Sequence, residues 1–282
     1  MIGRAYVGIS GWRYPPWRGT FYPTGLAQRR ELEYAASQLS SIEINGSFYA
    51  LQRPENYQRW SAETPDNFVF SVKGGRFITH MKKLREVDVP LANFFGSGVL
   101  ALADKLGPLL WQLPPMLGFD AERMRAFFDL LPRTTSHAAQ LADGHDERLT
   151  DRAFTTTDAE RPLRHAVEVR HKSYLDPAFL DLLRDHDIAI VVADTAGKWP
   201  FIETVTSDFA YIRLHGDEEL CVSGYSDTAL HRWAELLHGW RTGQTTPDGA
   251  ARDVYVYFDN DVKVHAPYNA IDLRRRLDEL AG

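Results

Sequence analysis

Short β-rich runs alternate along the chain with longer stretches of helical spacing. Residues 5–10 (AYVGIS), 41–45 (SIEIN), 68–73 (FVFSVK) and 108–113 (PLLWQL) read as four strands. Residues 164–170 (RHAVEVR), the continuous apolar run 188–193 (IAIVVA), 209–214 (FAYIRL) and 254–258 (VYVYF) read as four more. Helical periodicity predicts a helix over 27–39, where Leu32, Ala35, Ala36 and Leu39 form one stripe. It predicts another over 54–62, opened by proline in its first turn. Further helices are predicted around 90–104, over 120–131 and 176–186, each of these last two behind an aspartate suited to cap it, and over 227–240 and 269–280.

Strands joined mostly by helices imply parallel neighbours, because a parallel pair needs a long, right-handed crossover. Eight such units in about 250 residues is the arithmetic of a closed α/β barrel, the (β/α)8 TIM barrel, formed here as a single domain over 1–282. A doubly wound open sheet is the competing arrangement. The link 195–208 looks too short for a full helix. Residues 132–162 are polar and rich in His and Asp, and read as an insertion, mobile or with a short helix of its own. Residues 239–251 form a second loose loop.

Parallel sheets are covered on both faces. In RHAVEVR, Val167 and Val169 suit the helix side, so Glu168 and Arg170 are expected to point into the barrel. The same alternation turns Glu43 and Asn45, Ser71 and Lys73, and Arg213 and His215 inward, while Gln112 and Asp194 end their strands. After the last strand Asn260, rather than Asp259, is taken as the inward residue. Ser10, Gly11 and Trp12 stand at the mouth. Polar side chains thus collect at the C-terminal strand ends, where barrels of this class carry their active sites.

Two readings of this collection compete. In one it is a buried salt-bridge network that only fixes the barrel. Such pairs are often no more stabilising than packed apolar residues, so stability alone does not call for them. In the other it is a site. Lys73, Arg170 and Arg213 grip a phosphate or carboxylate. Glu43 and Glu168 serve as acid and base, and His215 shuttles the proton. Asn45, Gln112, Asp194 and Asn260 orient the substrate by hydrogen bonds. Trp12, Phe48, Tyr49 and Trp199 lie in or near the top loops, where an aromatic either stacks on a ligand ring or packs its own loop.

Composition narrows the options. The chain has 282 residues, 44% hydrophobic and 25% charged, enough to bury a full core. Its net charge of −6 runs against a domain built to hold nucleic-acid phosphates. Cys221 is the only cysteine, so no internal disulfide forms and a reducing cytoplasm is the expected home. No signal-peptide pattern or membrane-length apolar run is present, and no membrane partner is expected. GxGxxG, P-loop and GxSxG motifs are absent, which points to no organic cofactor. HExxH and CxxC are absent too. Mg²⁺ or Mn²⁺ held by Glu43, Glu168, Asp194 and His215 is the remaining metal option, opposed by three nearby cations. His80, in FITHMKK, reads as a solvated loop histidine.

The stretches GISGWRYPPWRGTFYP (8–23), EINGSFYALQRPE (43–55), FSVKGGRFITH (70–80), LLWQLPP (109–115), AVEVRHKSY (166–174), YIRLHG (211–216) and VYFDND (256–261) occur in this order. Together they resemble the bacterial and archaeal family catalogued as domain of unknown function 72. The chain departs from that pattern at Asp259-Asn260-Asp261, where the family often reads Asn-Asn, and at Lys172 and Tyr174, where it often has Pro and Trp. The resemblance implies a single TIM barrel and no particular activity. The residues themselves favour a cofactor-free hydrolase, lyase or isomerase acting on a small anionic ligand. A glycosidase is a variant of that idea and needs its carboxyl groups about 5–9 Å apart. The rivals are a nucleic-acid-binding or -processing protein and a non-catalytic binding or scaffold protein.

Overall fold

In the computed structural model, which describes residues 2–282, eight parallel strands follow chain order and close into a barrel. They are β1 (Ala5–Ser10), β2 (Ser41–Ile44), β3 (Val69–Lys73), β4 (Leu106–Gln112), β5 (His165–Glu168), β6 (Ala189–Asp194), β7 (Phe209–Leu214) and β8 (Asp253–Phe258). The expected (β/α)8 TIM barrel is therefore the observed fold. RHAVEVR is strand only as far as Glu168, and Arg170 lies beyond it.

The helices start where their caps predict. Asp120 accepts from the Arg123 N–H at 3.1 Å to open α5 (Ala121–Leu130), and Asp176 accepts from the Ala178 N–H at 3.0 Å to open α7 (Pro177–Asp185). Prolines at the first turn start α3 (Pro54–Ala62) and α7.

The chain packs as two compact units, one running up to Glu43 and resuming at Ala189–Gly282, the other Ile44–Ile188. In the first, β2 pairs with β1, β1 with β8, β8 with β7 and β7 with β6, all parallel. Helix α8 (Asp227–Thr242) packs on α9 (His265–Ala281), and α9 on β1. In the second, β3, β4 and β5 pair in sequence. Helix α4 (Asp88–Gly96) packs against α6 (Thr135–Ala142), and α3 against a 3-10 segment, Val99–Lys105.

Some local features depart from the sequence reading, while the short helix allowed for within 132–162 is present as α6. The helix expected around 90–104 is instead α4 followed by the 3-10 segment. The break is at Gly98, whose φ is +112° and where a Cβ would stand 2.5 Å from the Cα of Pro54, so only glycine fits. Within 132–162, Thr134 caps α6 by accepting from the His137 N–H at 3.2 Å. Two short elements were not anticipated: α2 (Gly46–Tyr49) and a single π-helical turn at Phe77–Met81.

One buried group in the second unit sets a pH response. His165 is fully buried between Trp111, whose indole N–H donates to Nδ1 at 3.1 Å, and the Pro132 carbonyl, 2.7 Å from Nε2. Trp N–H only donates and a carbonyl only accepts, so the ring is the neutral Nε2–H tautomer. Burial pushes its pKa down to about 3. In the unfolded chain a histidine titrates near its ordinary value of about 6.5. Between these limits the unfolded chain binds more protons, so stability is complete above the unfolded value and falls as pH drops through the window. Thermal unfolding from pH 7 to 4 should show Tm falling, with His165→Gln flattening the slope and a substitution of exposed His231 leaving it unchanged. An unaltered slope in His165→Gln would remove this assignment.

Candidate functional site

In the first unit, the inward-facing side chains of β1, β2 and β7 meet at Glu43, which is completely buried. Its Oε1 accepts from Ser10 Oγ at 2.9 Å and from Arg213 Nη2 at 2.9 Å. Its Oε2 accepts from the Tyr211 hydroxyl at 2.7 Å and from Arg213 Nε at 3.0 Å. Arg213, 1% exposed, also donates from Nη2 to Asp259 Oδ2 at 2.8 Å. One guanidinium therefore serves two carboxylates.

His215 closes the group. Its Nε2 lies 3.2 Å from Arg213 Nη1, and its Nδ1 lies 3.1 Å from Asp259 Oδ2. A guanidinium only donates, so Nε2 accepts and Nδ1 carries the proton shared with Asp259. Both ring nitrogens are engaged. Asp259, not Asn260, is the residue that joins this cluster. Asn260 donates instead to the Ser223 carbonyl at 3.0 Å and to Asn269 Oδ1 at 3.1 Å, because β8 alternates Tyr255, Tyr257 and then Asp259 on one face. Burial and the neighbouring Asp259 charge raise the Asp261 carboxyl to about 6. Asp194 accepts from the Tyr225 hydroxyl at 3.1 Å, and burial raises its pKa. Trp12 is buried, and its carbonyl accepts from the Tyr22 hydroxyl at 2.6 Å, so it packs its loop.

The second unit holds a different arrangement. Glu168 is fully buried at the end of β5, in register with Gln112 on β4. The Gln112 amide donates to both carboxylate oxygens, at 2.9 and 3.0 Å. Arg170 Nε donates to Oε1 at 3.0 Å. Lys73, 8% exposed, ends β3, and its Nζ stands 4.5 Å from the centre of the Phe48 ring. Helix α2 places that ring, because Ser47 Oγ donates to the Lys73 carbonyl at 2.6 Å and ties the helix to the strand end. Gly74 follows, pressed so closely on Trp111 that a Cβ would stand 2.3 Å from the indole.

His80, on the π-turn, meets the Phe48 ring edge-on at 5.1 Å between centres. Its pKa is pushed down to about 4, first by burial, then by Lys73 and Arg170, with Arg76 acting the same way and Glu168 opposing. It is a neutral imidazole at pH 7, half-buried in a positive field. The sequence carried one signal for it, its place just after the strand bearing Lys73. Asn45 precedes α2, and its Oδ1 is a buried acceptor with no hydrogen-bond partner among the described residues. Tyr49 is 68% exposed, with Arg76 5.9 Å from its ring.

Of the expected site residues, Glu43, Arg213 and His215 meet with Asp259 in the first unit, and Lys73, Gln112, Glu168 and Arg170 lie with His80 in the second. Among the described residues, no group of three or more His, Cys, Asp or Glu is placed to hold a metal ion. No helix among them is long and apolar enough to cross a membrane.

A family model described as "Protein of unknown function DUF72" matches residues 6–281. The chain is 27% identical over 246 residues to the UPF0759 protein YecE of Escherichia coli (strain K12), covering 86% of this chain and 84% of that protein. It is 28% identical over 298 residues to the UPF0759 protein YunF of Bacillus subtilis (strain 168), covering 97% and 94%. A solved DUF72 family protein from Thermotoga maritima MSB8 matches with a TM-score of 0.76 at 23% identity, over 98% of this chain and 99% of that one. Another, from Enterococcus faecalis V583, matches with a TM-score of 0.71 at 18% identity, over 97% and 95%. These structural likenesses concern the fold.

The Glu43 network makes a stability prediction. Arg213→Met leaves two carboxylates beside each other without their shared cation, and should lower the unfolding free energy by about 3–5 kcal/mol. Adding Glu43→Gln should recover much of that loss, because the amide needs no counter-charge. Urea unfolding of the single and double variants measures both. A loss under about 1 kcal/mol in Arg213→Met, the size typical of an exposed pair, would contradict a sealed network.

Proposed function

The chain belongs to the DUF72 family, and we propose that it is a cofactor-free enzyme binding a small phosphate- or carboxylate-bearing substrate at Lys73, His80, Glu168 and Arg170. The observation that carries this reading is the convergence of these four side chains in one unit. Arg170 reaches Glu168 at 3.0 Å, and Lys73 and His80 share the Phe48 ring. Burial first, and then the charges of Lys73 and Arg170, keep His80 unprotonated, and those same two charges would attract an anion.

Each residue then has a role. Lys73 supplies a point charge and Arg170 a planar fork for the anion. Glu168 moves the proton, with Gln112 holding its carboxylate in a fixed orientation. His80, neutral at pH 7, accepts or relays that proton. Asn45 Oδ1 takes a substrate hydroxyl. The chemistry within reach of such a set is hydrolysis, elimination or isomerisation. Arg213 has no part in holding the anion, because Glu43 and Asp259 already engage it.

The test is thermal unfolding against inorganic phosphate, small carboxylates, sugar phosphates and short single-stranded DNA. A ligand at a hundred times its Kd stabilises the fold by about 2.7 kcal/mol, a rise in Tm of about 5–10 °C for a chain of this size. The rise with a small anion should vanish in Lys73→Met and in Arg170→Met and persist in Arg213→Met. An undiminished response in both Lys73→Met and Arg170→Met would refute the site. A response to DNA alone, fading with salt, would replace it with nucleic-acid binding.

A further inference from the structure

In the same unit lies a cavity of about 250 Å³, lined mostly by apolar groups, with Phe48, Tyr49, Arg76, Phe77, Met81 and Arg148 among its walls. Phe48 belongs both to this cavity and to the cation cluster, since Lys73 stands over its ring at 4.5 Å and His80 meets its edge. Three of its large apolar walls are open to solvent. Tyr49 is 68% exposed, Met81 65% and Phe77 40%. Large apolar side chains left together at the surface mark a place where something binds.

Two arginines stand beside this apolar rim. Arg76 is 5.9 Å from the Tyr49 ring centre and Arg148 is 6.0 Å from that of Phe77. Arg148 is anchored by an ion pair with Asp146, whose N–H in turn donates to Asn93 Oδ1, a cavity wall, at 3.1 Å. Guanidinium planes and aromatic rings together favour a flat π-system as ligand. The backbone here is also held out of the ordinary. The Phe77–Met81 turn is π-helical, closed by the Lys82 N–H to the Phe77 carbonyl at 2.8 Å. Directly after it, Lys83, Leu84 and Glu86 have φ of +52°, +68° and +50°. Such conformations cost energy and persist where a site requires them.

The volume limits the guest. A cavity of about 150 Å³ holds one benzene. About 250 Å³ therefore takes a single ring system with a short substituent, not a run of stacked bases.

We propose that the substrate is an aromatic or heteroaromatic ring bearing a phosphate or carboxylate, with its ring in this cavity and its anion beyond Phe48 at Lys73 and Arg170. This rests on the reading of that cluster as an anion site. Ring and anion are recognised separately, so they can be tested separately.

Calorimetric titration of the full chain with phenyl phosphate, inorganic phosphate and a short thymidine oligonucleotide decides it, using wild type, Tyr49→Ala, Arg76→Met and Lys73→Met. Tyr49 and Arg76 are exposed, so their replacement spares the fold. Phenyl phosphate should bind about tenfold or more tighter than phosphate, the gain of one stacked ring. Tyr49→Ala should erase that gain and leave phosphate affinity unchanged, Arg76→Met should cut phenyl phosphate affinity by more than it cuts phosphate affinity, since its charge also reaches His80, and Lys73→Met should weaken both ligands. Equal, Lys73-dependent binding of the two would overturn the ring subsite while sparing the anion site. Phenyl phosphate binding that depends on Tyr49 and ignores Lys73 would overturn the joint arrangement. Binding of neither would overturn both readings. Preference for the oligonucleotide with a steep salt dependence would overturn the small-ligand class.

Discussion

A carboxylate that water cannot reach must have its charge matched by fixed donors, and Glu43 is such a group. Ser10, Tyr211 and Arg213 supply four hydrogen bonds to its two oxygens. Satisfying it ties together three strands of its unit. Ser10 must sit opposite Glu43 in the β1–β2 register, as it does. Tyr211 and Arg213 must fall on the same face of β7. A one-residue slip of any of these strands would turn its donor to the other face and leave a buried charge unpaired. The register of this part of the barrel is thus enforced by one ion, and Asp259 and His215 are placed by the arginine that answers it.

The Glu168 cluster obeys the same constraint with a different set of donors. A neutral amide, Gln112, donates to both carboxylate oxygens, and Arg170 adds one Nε contact. Lys73 lies over an aromatic ring, an interaction worth about 0.5–2 kcal/mol. Lys73 and Arg170 add to burial in holding the His80 pKa down, against the opposing charge of Glu168.

Most of the barrel was legible in the chain because strand period and helix caps are local properties. The alternation in RHAVEVR placed Glu168 inside for a general reason, that both faces of a parallel sheet are covered. At the end of VYVYF period two does not settle which of Asp259 and Asn260 turns inward, and in the structure it is Asp259 that joins the cluster. Other features had no local signal. The break at Gly98 is imposed by Pro54, which touches it from a distant part of the chain. His80 looked like a solvated loop histidine because one π-turn has no periodicity to read, and Phe48 is positioned by a Ser47 bond to a carbonyl 26 residues away.

The charge balance of each cluster was illegible for a deeper reason. Alternation tells which way a side chain faces, but a charge is neutralised by partners remote in sequence. Arg213 meets Glu43 across 170 residues and Asp259 across 46. From the chain alone Lys73, Arg170 and Arg213 are equivalent, three inward cations near strand ends. In the fold Arg213 becomes part of the frame. A buried pair of that kind is weak evidence of stabilisation, because well-packed apolar residues often do as well; what it secures is register, since a mispaired barrel would leave it unmatched. Lys73 lies over the Phe48 ring, and Arg170 donates from Nε to Glu168, a carboxylate that Gln112 also steadies. The same strand alternation thus yields charges set among different partners, drawn from remote parts of the chain.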